Sequence, residues 1–287
     1  MKIIINTLFS LLVSLIKLLP SKLAIRMISR FLIIIGYRKS VITKNLEKRF
    51  FNNNFEKSKV DSIYRQCITN IARIIVESLC SIPTSLIQNK ENGIYYENVT
   101  QLEKACNSNN GLVLFVSHYG NWELACTLLP KVTDLPIYGV YKPLRNRFFN
   151  EKVKAIRSKH GLHLVPLNKI ARVIATNKNK SIAAIYILIA DQNPNTSNNI
   201  IWANFMGIST AYANGAKKII DKYNFGLAYM NIRPQKKPYH YSITFDFDFD
   251  IDNDITQQYS NKLQSQIIKK PQYWLWSHKR WKRKVHK

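Results

Sequence analysis

The stretch Gly111-Leu112-Val113-Leu114-Phe115-Val116-Ser117-His118-Tyr119-Gly120-Asn121-Trp122-Glu123 decides the fold. Its first six residues are apolar and β-rich without alternation, the pattern of a strand buried on both faces in a largely parallel sheet. Asn121 is a helix-capping residue ahead of Leu124, Ala125, Leu128 and Leu129, and Pro130 stops that pattern. The segment therefore reads as strand, turn and helix. His118 stands at the carboxyl end of the strand, Gly120 allows a tight backbone, and Glu123 falls in the first helical turn, where an ionised carboxylate is favoured.

An ionised Glu123 beside the His118 imidazole would accept from one ring nitrogen and fix the tautomer. The other nitrogen is then free to take a proton from an alcohol. A serine hydrolase would advertise its nucleophile on a Gly-x-Ser-x-Gly elbow, which the sequence lacks. Direct transfer to a bound alcohol fits better. The plainer alternative is a helix cap beside a satisfied polar group.

Outward from this segment, strand-like and helical runs alternate, which predicts one α/β domain with a mixed, largely parallel central sheet flanked by helices. Strands are expected at Gly111 to Val116, Ile137 to Tyr141, His163 to Pro166, Ile182 to Ile189, Leu227 to Ile232 and Tyr241 to Ile251. Helices are expected at Val60 to Leu79, Asn121 to Leu129, Asn146 to Lys159, Ile170 to Thr176, Ala211 to Tyr223 and Thr256 to Lys269. No repeat or linker divides the 287 residues, so residues 21–287 are expected to form a single domain. Phe245 to Asp252 alternates apolar with Asp, which reads as a half-buried strand with a wet acidic face rather than a cation site.

Lys and Arg number 43 against 17 acids, a formal net charge of +26. The partner should therefore be polyanionic. Ile3 to Leu19 is almost continuously apolar and ends at Pro20, so residues 1–20 are expected to anchor the chain in a membrane. Leu23 to Tyr37, with Arg26 and Arg30 interleaved, suits an interfacial helix. The following Arg38, Lys39, Lys44, Lys48 and Arg49 place the body on the cytoplasmic side by the positive-inside tendency. Cys67, Cys80, Cys106 and Cys126 form no Cys-x-x-Cys pair, which fits reduced, packed thiols. The basic tail from Lys279 to Lys287 has no accompanying nucleic-acid-binding motif, and attraction to anionic lipid explains the same charge.

The His118 to Glu123 spacing resembles the His-x4-Glu signature of the bacterial lipid A biosynthesis acyltransferases, the lauroyl/myristoyl transferase family. Further blocks follow in that family's order. Val140-Tyr141-Lys142-Pro143-Leu144-Arg145-Asn146 is similar to its Tyr-Arg-Pro-x-x-Asn block, with Lys142 replacing arginine. Arg172 resembles an arginine of the family's active-site cleft, and Ala190-Asp191-Gln192 its Asp-Gln turn. Asn204 to Gly207 and Thr210 to Lys218 match its next two blocks, with Tyr212 and Ala213 in place of the usual phenylalanines. Pro271 to Lys282 resembles the closing signature, with Gln272 in place of glutamate.

The resemblance implies a glycerolipid-acyltransferase-like fold and transfer of a fatty acyl chain from an acyl-carrier-protein or coenzyme A thioester to a hydroxyl of a lipid A precursor. That activity is expected at the inner membrane, beside anionic lipids and without nucleic acid, metal or further cofactor. His118 would be the general base, oriented by Glu123, and N–H groups near Gly120 or the Arg172 side chain would meet the oxyanion. Substrate binding would fall to Asn121, Lys142, Arg145, Asn146, Arg172, Asp191 and Gln192. His278, among Lys279, Arg280 and Trp281, suits the membrane interface. The rival enzyme is a glycerolipid acyltransferase, which typically carries Asp where Glu123 stands; a non-enzymatic membrane or nucleic-acid-binding protein is the other alternative.

Overall fold

The computed structural model describes residues 10–283 apart from 12, 52, 53, 55, 81, 145 and 195–198. Helices lead: α1 (Ser21–Ile34), α2 (Lys39–Asn45), a π-helical turn at Leu46–Phe50, and α3 (Lys57–Leu79). Then come β1 (Ile94–Tyr96), α4 (Val99–Ser108), β2 (Leu112–Val116), α5 (Trp122–Leu128), β3 (Ile137–Tyr141) and α6 (Arg147–Ser158). They are followed by β4 (His163–Pro166), α7 (Ile170–Asn179) and β5 (Ile185–Ile189). A hairpin of β6 (Ile200–Phe205) and β7 (Ile208–Ala213) leads into α8 (Gly215–Tyr223), β8 (Gly226–Pro234), β9 (Tyr241–Asp246) and α9 (Ile255–Lys269).

Seven strands form one sheet in the order β1-β9-β8-β2-β5-β3-β4. The run from β8 through β4 is parallel, and β9 reverses against β8 with β1 parallel to it. All five residues of β2 are buried, as an apolar run without alternation requires at the centre of a covered sheet. Val113 and Phe115 join the core that α7, α8 and α9 cover, while Leu112, Leu114 and Val116 face the core under α4 and α5.

Chain direction explains where a site must form. After β2 the chain crosses by α5 to β3 on one side; after β5 it returns by α8 to β8 on the other side of β2. The α5 and α8 crossovers pack on opposite faces, so a crevice opens beyond the carboxyl ends of β2 and β5, the usual ligand site of such sheets.

The predicted β3 and β4 bounds are reproduced, and the other elements are recovered with shifted ends. Three expectations change. Ala211 to Tyr223 is not one helix, because residues up to Ala213 pair with β6. The two-residue turn is Met206-Gly207, both at positive φ (55° and 74°), a hairpin geometry that Met-Gly signals weakly. Strand β9 stops at Asp246 instead of Ile251; Asp246 and the exposed Asp248 approach the Lys262 ammonium at 2.9 and 3.7 Å, as a wet acidic edge should. Of the Ile3 to Leu19 anchor, residues 3–9 and 12 lie outside those described. Among the described residues no helix is long and apolar enough to cross a membrane. Residues 13–18 are helical, and Ile16 packs against Ala24 and Ile25 of α1 and Ala72 and Val76 of α3.

Candidate active site

The parallel register of β2 and β5 pairs Val116 with Ile189. Two residues further along each strand stand His118 and Asp191, so the register alone sets them side by side. The His118 Nδ1–H donates to Asp191 Oδ1 at 2.6 Å, and the His118 backbone N–H donates to Oδ2 at 2.8 Å. The Trp274 indole N–H reaches the same Oδ2 at 2.8 Å. Asp191 is buried at 2% exposure. Burial alone would raise its carboxyl; the adjacent His118 ring and these three donors reverse that and hold it below the ordinary carboxylate range.

With Nδ1 committed to Asp191, Nε2 carries the lone pair, and the Gln192 amide donates to it at 3.0 Å. The Trp122 ring meets the imidazole edge-on at 4.7 Å between centroids. Among the described residues no serine or cysteine bonds the imidazole: the Ser117 hydroxyl contacts Tyr229 at 3.2 Å. Burial pushes the Cys106 thiol up to about 12 and Cys67 and Cys126 higher still, so these thiols stay protonated and unreactive.

Glu123 does not orient His118. It starts α5 pointing to α6, where Arg157 Nε donates to it at 2.7 Å and Nη2 makes the second bond of a bidentate pair. The carboxylate on the imidazole is instead Asp191, because neighbouring parallel strands bring their ends together while the helix turns Glu123 away. The Glu123 pair holds Arg157 protonated: burial lowers the guanidinium pKa, and the Glu123 bonds and charge more than restore it.

The other predicted site residues divide sharply. Asn121 is a buried cap: its Oδ1 accepts from the Leu124 N–H at 3.0 Å and its amide donates to Glu77 at 2.9 Å. Asn146 caps α6 through the Phe149 N–H at 3.3 Å. Lys142 is exposed just past β3, and Arg145 lies outside the described residues. Arg172 is exposed on α7 and has no side-chain bond to the His118–Asp191 pair; Arg157, bonded to Glu123, lines a small cavity with Trp122, Tyr141 and Ile189. The Gly120 N–H is spent on the Tyr273 carbonyl at 2.9 Å, so it is not free for an oxyanion.

Part of the closing segment is core, while Lys279 and Lys282 are exposed. Trp274, Trp276 and Arg280 are 3%, 1% and 1% exposed, and Leu275 donates its N–H to the His118 carbonyl at 3.0 Å. Burial, with nearby Arg280, pushes His278 down to about 4. Two groups had no motif to announce them, Arg157 and Glu77; Trp274 stood in the closing signature, but nothing there pointed to its bond with Asp191. Glu77 is fully buried, pairs with Arg73 at 2.7 Å and also accepts from Tyr239 and Tyr241. Only the i, i+4 spacing of Arg73 and Glu77 hinted at that pair. No group of three or more His, Cys, Asp and Glu suited to a metal occurs among the described residues.

An imidazole backed by a carboxylate at a sheet switch point, with no serine or cysteine bonded to it among the described residues, is compatible with an α/β group-transfer enzyme. The family model described as bacterial lipid A biosynthesis acyltransferase matches residues 1–283, and the chain belongs to that family. It is an O-acyltransferase, and a lipid A precursor is its class of acceptor. No curated protein matches the chain.

Proposed function

We propose that the protein transfers a fatty acyl chain from an acyl-carrier-protein thioester to a hydroxyl of a lipid A precursor at the cytoplasmic face of the inner membrane. The observation that carries this reading is the His118 Nε2 lone pair, fixed by the Nδ1–H bond to Asp191 at 2.6 Å. The acceptor hydroxyl displaces the Gln192 amide and gives its proton to Nε2 as its oxygen attacks the thioester carbonyl. Asp191 stabilises the imidazolium. The tetrahedral intermediate expels the thiolate, which recovers the proton from Nε2, leaving an ester and a free thiol. Arg157, oriented by Glu123, is the cation available to the developing oxyanion or to a phosphate of either substrate.

Departure from the glycerolipid pattern at Glu123 favours a lipid A precursor over a lysophosphatidate acceptor. Acyl carrier protein is acidic, and the net charge of +26 suits it as donor. Detergent-solubilised protein is expected to consume the thioester only when the lipid A precursor is present. Equal consumption with lysophosphatidate would overturn the acceptor assignment.

A further inference from the structure

Helix α1 carries three faces. At about 100° per residue, Ala24, Ile25 and Ser29 point to the core, and Leu23, Met27, Phe31 and Ile34 share an open stripe at 42%, 53%, 61% and 83% exposure. Lys22, Arg26 and Arg30, spaced four apart, fall between those two faces. Beside them a cavity of about 500 Å³ opens between α1, α3 and the turn joining β8 to β9, and Lys236 joins it from that turn. None of the described lining residues is acidic, and none of these four cations is in an ion pair among the described residues. The same cavity is lined by Asn70, 6% exposed, whose Oδ1 has no hydrogen-bond partner.

We infer that this cleft binds the phosphate of a membrane lipid headgroup. Four cations without acids call for a polyoxyanion, and the Asn70 carbonyl oxygen calls for a hydroxyl on the same headgroup. The stripe selects a lipid over a soluble phosphate. It borders the cations on the side away from the core, so acyl tails lie along Leu23, Met27 and Phe31 while the phosphate enters the cleft. The site is separate from His118, although the Tyr273 carbonyl on its wall accepts the Gly120 N–H at 2.9 Å. Its readout is binding, independent of thioester chemistry.

The test uses the full chain with phosphatidylcholine vesicles, with and without phosphatidylglycerol. Each basic side chain near an anionic surface is worth about a fivefold factor, so Arg26→Gln with Arg30→Gln is expected to lose roughly thirty-fold of the preference for anionic vesicles. Lys180→Gln with Lys218→Gln removes the same charge outside the cleft and is expected to change it less than about twofold. Equal losses in the two double variants would overturn the site in favour of diffuse attraction. Inorganic phosphate supplies the second arm. If it binds the wild type and that binding is lost with Arg26 and Arg30 while vesicle preference is kept, the cleft takes a soluble anion and the lipid assignment is wrong.

Discussion

Asp191 gives His118 its tautomer, and Trp274 and the His118 backbone hold Asp191 in turn. Trp274→Phe keeps the buried ring and removes one donor to an ionised acceptor, a bond worth about 1.5–3 kcal/mol. The carboxylate then becomes more basic and the imidazolium better stabilised. The expected result is an acid limb of the kcat/KM profile moved to higher pH; an unmoved limb would leave Trp274 a packing residue only. Glu123 bonds Arg157 and not His118. Glu123→Gln and Arg157→Gln, measured as single and double variants, should therefore be strongly non-additive, since either change breaks the same bidentate pair. Additive losses would mean that the two groups work separately. The sequence marked His118 and Glu123 by spacing, but spacing cannot say which carboxylate meets the imidazole. That contact is made across strands, between residues 73 positions apart.

At the scale of elements, the β2 to α5 turn was legible because burial, capping and chain reversal are local. Gly120 sits at φ 63° there, and a Cβ would come within 3.0 Å of Ile232 and Pro234. The β6–β7 hairpin was not legible, since Ala211 to Ala213 reads equally well as helix until strand β6 pairs with it. Helix α3 was predicted, but the ion pair at its end was not. Glu77 holds Arg73, the Asn121 cap, and Tyr239 and Tyr241 at the β8–β9 end of the sheet. Glu77→Gln leaves the buried guanidinium uncompensated, so a loss of about 3–5 kcal/mol is expected in denaturant unfolding, with the Asn121 turn loosened. A loss below about 1 kcal/mol would show that the pair is solvated in solution.

For the whole molecule, composition announced a polyanionic partner, and along α1 the fold sets basic charge beside exposed apolar surface. The Lys279, Arg280 and Trp281 pattern around His278 looks interfacial in sequence, yet Arg280 is buried, as are Trp274 and Trp276 earlier in the segment. Burial also sets the acid response. His278 is lowered from 6.5 to about 4, so its contribution is fully present above pH 6.5 and is lost as pH falls toward 4, where the unfolded chain binds the proton first. Asp191 adds a later loss, as pH falls through a value below the usual carboxylate range. Urea midpoints should be level above pH 6.5 and fall below it, and His278→Gln should reduce that slope; an unchanged slope would assign it to other groups.

The central claim is that His118, held by Asp191, is the base for direct acyl transfer. Single-turnover thioester consumption in detergent, with the lipid A precursor present, tests it in wild type, His118→Ala and Asp191→Asn. Loss of turnover in His118→Ala and a fall of roughly a hundredfold or more in Asp191→Asn are expected, the size general acid–base groups contribute, with the folded far-UV spectrum retained. A folded His118→Ala protein that still transfers acyl groups at the wild-type rate would contradict the account.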